Sequence, residues 1–112
     1  MTPLAPHDGA PGFRIEFRHS NDIAWVVLQG EADVSTLELL EAALEHTELT
    51  GTTSIHLQVS ELDFADAATV RRLTVFAKRA RQSGRDIKTC GANPTFRLLA
   101  RVLDARDALG LL

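Results

Sequence analysis

The fold of this chain is decided by the stretch IHLQVSELDFADAATVRRL, residues 55–73. Its first part alternates the apolar residues Ile55, Leu57 and Val59 with polar ones, which is typical of a strand with one buried face. Asp66 is a preferred helix N-cap. Behind it begins an apolar stripe at helical spacing, Val70, Leu73, Phe76, Ala77 and Ala80. The stretch predicts a strand that leads directly into a helix, which runs to about residue 83 and ends at Gly84.

Two further strands are predicted before this unit. Phe13, Ile15 and Phe17 alternate with charged residues, whereas the run from Ile23 to Leu28 is apolar on both faces, as a central strand is. The intervening Ser-Asn-Asp segment has the composition of a turn, so the two strands are expected to form a hairpin.

The rest of the chain alternates helices with one more strand. Residues 30–33 predict a turn, and residues 35–47 a helix with the buried stripe Leu37, Leu40 and Leu44. A fourth strand is expected at 87–90, and Pro94 opens a third helix. The apolar residues of that helix are Phe96, Leu99, Val102 and Leu103. The order β-β-α-β-α-β-α indicates an α/β fold with a mixed sheet of about four strands. The clean alternation of the first and third strands places the helices mainly on one face.

Length and composition indicate a single domain over residues 13–112, preceded by a flexible N-terminal tail, residues 1–12. The net charge of −3 argues against nucleic acid or an anionic membrane as a general partner. Cys90 is the single cysteine, so no internal disulfide can form, in agreement with a cytoplasmic location. No apolar run approaches the roughly 20 residues of a membrane span, so membrane insertion is not expected.

The sequence gives little support for catalysis. The histidines are not at metal-ligand spacing with one another or with the cysteine, and no glycine-rich phosphate loop occurs. Asp63 and Asp66 could form an acid/base pair. The simpler interpretation is that Asp63 is a loop residue and that Asp66 caps the helix. The sequence therefore predicts no enzyme, no catalytic residue, no metal site and no cofactor.

The second predicted helix carries the clearest candidate surface. Seven of the twelve basic residues lie between positions 71 and 88, among them Arg71 and Arg72. Val75 lies among these charges, where solubility alone would not place an apolar residue. The first predicted helix has a face of the opposite charge, which is formed by Glu38, Glu41, Glu45 and Glu48. Such polarity orients a protein partner, although a solvated helix face is the plainer alternative.

Three segments resemble STAS domains, the fold of bacterial anti-sigma factor antagonists. They are GEADVSTLELLEAAL at 30–44, the stretch at 55–73, and NPTFRLLARVLDARDALGLL at 93–112. The resemblance implies that Asp33 and Asp66 stand at the loop aspartates of the family and Ala68 at the phosphoacceptor serine. The final helix of the family is not predicted here.

In that family an anti-sigma factor with serine kinase activity binds the unphosphorylated antagonist and phosphorylates the loop serine. The modified antagonist then dissociates, because a dianion alters the fit. Alanine has no oxygen to phosphorylate. Thr69 is an alternative acceptor, but one residue along a helix turns the side chain by roughly 100°. The implied partner-binding residues are Asp33, Asp66, Ala67, Ala68, Thr69, Arg71, Arg72 and Val75.

Two functions follow from the resemblance. The first is a regulatory module that binds an anti-sigma factor or serine-kinase-like protein and is locked in the unphosphorylated-like form. The second is a structural or accessory STAS subunit, either a scaffold or an accessory protein of a lipid transporter. The short C-terminus is also expected to leave apolar surface near the third helix, where Leu109, Leu111 and Leu112 fold back or meet a second copy in a homodimer.

Overall fold

The computed structural model describes residues 12–111, so the predicted tail lies outside the described residues except for Gly12. The elements are β1 (Phe13–Ser20), β2 (Ile23–Ala32), α1 (Leu37–Leu49), β3 (Ser54–Ala65), α2 (Ala67–Gln82), β4 (Asp86–Cys90), α3 (Pro94–Val102) and α4 (Arg106–Leu109). A short 3-10 turn, Val34–Thr36, precedes α1. The four strands form one sheet in the order β1-β2-β3-β4. β1 is antiparallel to β2 and the other pairs are parallel, which confirms the predicted mixed α/β fold.

The core lies between the helices and one face of the sheet. Every second residue of β1 and β2 is buried, from Phe13 to Phe17 and from Ala24 to Leu28. The intervening residues, such as Trp25 and Val27, are only half-buried on the opposite face. The predicted stripe of α2 is buried in full, from Val70 to Ala80. The helices therefore cover mainly one face, as the strand alternation predicts.

The ends of the two central strands differ from the prediction. β2 does not turn at Gly30 but continues to Ala32, and β3 continues beyond Val59 to Ala65. The pairing of β2 with β3 shifts twice, and each shift adds one residue to β3. Because the extra residues break the two-residue period, Leu62 and Ala65 keep facing the core while the sequence pattern disappears.

Helix α2 ends in a Schellman motif, which fixes the approach of β4. Gly84 has φ +87° and donates its N–H to the carbonyl of Arg81 at 3.0 Å, while the N–H of Arg85 reaches the carbonyl of Ala80 at 2.9 Å. The guanidinium of Arg85 then donates to the carbonyls of Thr52 at 2.6 Å and Thr47 at 3.2 Å, which satisfies the C-terminal end of α1. Its burial lowers the pKa of Arg85, and the charge of Glu48 opposes that shift.

The C-terminal segment folds back onto β4. Leu109 is fully buried, and the hydroxyl of Thr89 donates to its carbonyl at 2.7 Å. Leu111 forms an isolated bridge with Thr89, whereas Leu112 lies outside the described residues. The expectation that no helix follows the third one is wrong, because α4 forms at Arg106–Leu109. Apolar surface nevertheless remains on α3, where Val102 is 72% exposed.

We expect Gly91 to be essential to the junction of β4 and α3. Its φ is +81°, and an added Cβ would lie 2.5 Å from the Cβ of Ser60, beside the first register shift of β3. Gly84 has a similar φ but open space around it. Gly84→Ala should therefore lower the free energy of unfolding by about 1–2 kcal/mol. Gly91→Ala should lower it by about 1–3 kcal/mol more, because of the clash.

Urea melts of both variants test this difference. Equal losses of stability would mean that the backbone relaxes around residue 91 and that the close approach to Ser60 carries no constraint.

Candidate functional site

The candidate site lies at the edge of the sheet where the parallel strands β2, β3 and β4 end. Each of these strands leads into a helical segment, so three helical N-termini meet at this edge. The ends of the two central strands are joined directly, since the backbone N–H of Asp66 donates to the carbonyl of Ala32 at 3.1 Å. The structure therefore brings the two predicted loop aspartates, Asp33 and Asp66, onto neighbouring strand ends.

All three helical N-termini at this edge carry a polar cap. The carboxylate of Asp66 accepts the N–H of Thr69 at 2.8 Å, and that of Asp33 accepts the N–H of Ser35 at 2.9 Å. The side-chain oxygen of Asn93 accepts the N–H of Phe96 at 2.8 Å. Each cap occupies one first-turn donor and fixes the entry of its helix. Asp66 therefore acts as the N-cap that the sequence predicts.

The loop that leads into α2 contains no accessible hydroxyl at the positions predicted to accept phosphate. Ala67 and Ala68 are half-buried in its first turn, so this turn is partly open to solvent. Thr69 is fully buried, and its Oγ1 has no hydrogen-bond partner. A kinase cannot reach this oxygen in the described conformation, and Thr69 cannot contact a partner directly.

One face of α2 continues from this turn along the helix. Ala68, Arg72 and Val75 are spaced by four and three residues, so they share a face that also includes Arg71. Val75 is 49% exposed and Arg71 is exposed. Arg72 is half-buried and its Nε lies 3.2 Å from Oε1 of Glu41 in α1. The Nη1 of Arg72 is buried without a hydrogen-bond partner. This face therefore presents an apolar residue, a charged residue and a partly satisfied ion pair.

Two exposed apolar residues at this edge are not predicted from the sequence. Val34, which directly follows Asp33, is 70% exposed, and Phe64, two residues before Asp66, is 45% exposed. Val34 lies between the predicted turn and the predicted helix and begins a 3-10 turn, and Phe64 belongs to the part of β3 where alternation fails. The exposure of Phe64 could have been suspected from the sequence, because a large aromatic residue two positions before a predicted helix N-cap lies in a predicted loop.

We name these residues together the α2 edge surface: Asp33, Val34, Phe64, Asp66, Ala67, Ala68, Arg71, Arg72 and Val75. It combines exposed apolar area with cationic side chains and with the N-terminus of α2, whose first-turn N–H groups have no intrahelical acceptor. No group of three histidine, cysteine or acidic side chains suited to a metal occurs within residues 12–111. No helix in the same range is long and apolar enough to cross a membrane.

Solved structures with a similar fold include several bacterial regulators. An anti-sigma factor antagonist from Mycobacterium paratuberculosis has a TM-score of 0.79 at 16% identity, over 91% of this chain and 87% of that one. The NMR structure of the protein TM1081 has a TM-score of 0.74 at 13% identity, over 97% and 84%. The unphosphorylated anti-sigma factor antagonist SpoIIAA has a TM-score of 0.66 at 23% identity, over 89% and 85%. At these identities the similarity establishes the fold.

The family assignment comes from the sequence itself. No curated protein matches the chain. The family described as "Mlab, STAS domain" matches residues 15–112, which spans every described helix and all four strands apart from the first two residues of β1. The match includes the two capping aspartates and the whole α2 edge surface. The chain belongs to the STAS domain family.

Proposed function

We propose that this chain is a non-enzymatic regulatory STAS module that binds an anti-sigma factor of the serine-kinase type through the α2 edge surface. The chain remains in its unphosphorylated-like, binding-competent form, and it acts in the bacterial cytoplasm. The proposal extends to this chain what the names of its structural neighbours say of them, because two of the reported neighbours are named as anti-sigma factor antagonists.

The observation that carries the proposal is the exposure of Val75 beside Arg71. An isolated exposed valine is unremarkable, but this one shares a helix face with the open first turn of α2. Phe64 and Val34 add apolar area at the adjoining strand ends. Apolar area at the centre with arginine nearby is the composition of an energetically important interface region.

The ion pair between Arg72 and Glu41 supports the same conclusion. Nε of Arg72 donates to Oε1 of Glu41 at 3.2 Å, so the guanidinium is held in a fixed orientation on the face that also carries Val75. A side chain that is already held in place loses little conformational entropy on binding. Arg72 therefore adds an ordered positive charge to this face, and a carboxylate of the partner would complement it.

The alanine at position 68 determines the regulatory character of the module. Phosphorylation would place a dianion at the N-terminus of α2, inside the contact. Since Ala68 has no hydroxyl and Thr69 is buried, this route of release is closed. Binding is then controlled by the amount of the chain rather than by its modification.

A structural or accessory STAS subunit is the second candidate. The same absence of a hydroxyl at position 68 favours it, because a permanent subunit needs the contact surface but no switch. Affinity capture of the tagged full chain from its native cell separates the candidates. A kinase-like anti-sigma factor supports the regulatory module, whereas a transporter ATPase or a scaffold protein supports the accessory subunit.

Val75→Asp should weaken the complex with the anti-sigma factor by about 1–3 kcal/mol, as expected of a central contact. The change should alter the free energy of unfolding by less than about 0.5 kcal/mol, because Val75 is exposed. Leu73→Ala, two residues away in the core, should instead lower that free energy by about 2–5 kcal/mol. Binding titrations beside urea melts measure both quantities.

Val102→Asp is the matched control, because Val102 is 72% exposed on α3 and lies outside the α2 edge surface. It should bind the partner normally. Normal binding by Val75→Asp, or equal weakening by both aspartate variants, would show that the α2 edge surface is not part of the contact.

Ala68→Ser should restore the missing switch. The added hydroxyl would stand on the half-buried first turn of α2, so the partner kinase with ATP should add one phosphate and the modified chain should release it. The original chain should gain none, and Ala67→Ser, one position earlier, should serve as the mispositioned control. Intact-mass measurement followed by peptide mapping reports the result. A phosphate on Thr69 of the original chain would show that α2 opens at its N-terminus and that the chain is still switchable.

A further inference from the structure

The C-terminal end of α1 carries an apolar side chain in an unusual position. Leu49 is 86% exposed, more than any other large apolar residue among residues 12–111. Glu45 lies one helical turn before it and Glu48 directly before it, and both are exposed. The end of α1 is therefore an apolar projection flanked by carboxylates. It lies outside the α2 edge surface.

The outer face of α3 has the opposite character. A surface groove of about 450 Å³ is lined by Pro94, Arg97, Leu98, Arg101 and Arg106. Pro94, Leu98 and Arg101 are spaced by four and three residues, so they form one helix face, and Leu98 is 52% exposed. The groove is thus an apolar depression with a basic rim.

Two of the rim charges, those of Arg101 and Arg106, remain available to an incoming anion. Arg101 and Arg106 form no ion pair within the described part of the chain. Asp104 and Asp107 line a second depression together with these two arginines, but neither carboxylate forms an ion pair with either guanidinium. Exposed arginines next to apolar area favour an acidic ligand that also carries an apolar side chain.

The projection and the groove of one molecule cannot meet each other. α2 packs against both α1 and α3, α1 covers β1 and β2, and α3 contacts β3. The two features therefore lie at opposite ends of the helix layer. They are available to a neighbour, and each molecule offers one of each.

We infer that the chain associates head to tail with a second copy of itself, with Leu49 of one copy seated in the α3 groove of the next. Leu49 packs against Leu98 and Pro94, and Glu45 and Glu48 face Arg101 and Arg106. A contact between two different surfaces closes into a ring or continues as an open chain, whereas a symmetric dimer would join two like surfaces. The contact is small, so the association is weak and sensitive to salt. This inference does not depend on the proposed function.

Sedimentation velocity on the full chain tests the inference, over roughly 10 μM to 1 mM, the range in which a small interface associates. The average mass of the original chain should rise with concentration and fall when salt is added. Leu49→Ser removes the projection, and Leu98→Glu places a carboxylate in the groove. Each variant alone should raise the dissociation constant by about tenfold or more. Val75→Glu, an exposed apolar position outside the contact, should leave self-association unchanged.

Mixing the two variants gives the decisive result. Leu49→Ser retains an intact groove and Leu98→Glu retains an intact projection, so the mixture should form 1:1 dimers that cannot extend further. A mixture that stays monomeric, although each variant retains the circular dichroism and melting behaviour of the original chain, would overturn the inference. A strictly monomeric original chain at the highest concentration would overturn it as well, and so would undiminished association of either variant.

Discussion

The parallel pairing of β2 with β3 is the constraint on which the other features depend. It aligns the carboxyl ends of two strands that are far apart in sequence, and the hydrogen bond from the N–H of Asp66 to the carbonyl of Ala32 fixes that alignment at the candidate site. The two register shifts in β3 lengthen the strand without turning Leu62 or Ala65 away from the core. Because both strands are central, any slip between them would displace α1 and α2 together, and with them the α2 edge surface.

The site separates two roles that a switch loop usually combines. Asp66 holds the N-terminus of α2 in place through its bond to the N–H of Thr69, and this role is structural. The chemical role, acceptance of a phosphate, would belong to the first turn of α2, where Ala67 and Ala68 carry no hydroxyl. A phosphorylatable loop needs both the cap and an accessible oxygen, because the cap orients the turn and the oxygen carries the charge. This chain has the cap at Asp66 and no hydroxyl at Ala67 or Ala68, and under the proposed function it therefore keeps the shape of the unmodified state.

The arrangement of charge follows from the order of the helices. α1 presents glutamates, α2 presents arginines next to it, and Arg72 with Glu41 joins the two helices across their boundary. α3 then presents a second basic face on the other side of α2. Each basic face also exposes an apolar residue, Val75 on α2 and Leu98 on α3. Two distinct contacts on one small domain are therefore physically compatible, because the proposed partner contact uses α2 and the proposed self-contact uses α1 and α3.

Four features follow from the amino-acid sequence alone: the order of the elements, the mixed sheet, the buried stripe of α2 and the cap at Asp66. Those features depend on local periodicity and on the preference of aspartate for helix N-termini, which are properties of neighbouring residues. The sequence also places alanine at position 68, where the family resemblance implies a phosphoacceptor serine. Other features are visible only in the folded chain. Thr69 is buried, Phe64 and Val34 are exposed beside the site, and Leu49 and the α3 groove lie at opposite ends of the helix layer. The burial of a side chain and the position of one surface relative to another depend on which distant segments pack together. That packing cannot be derived from the spacing of residues along the chain.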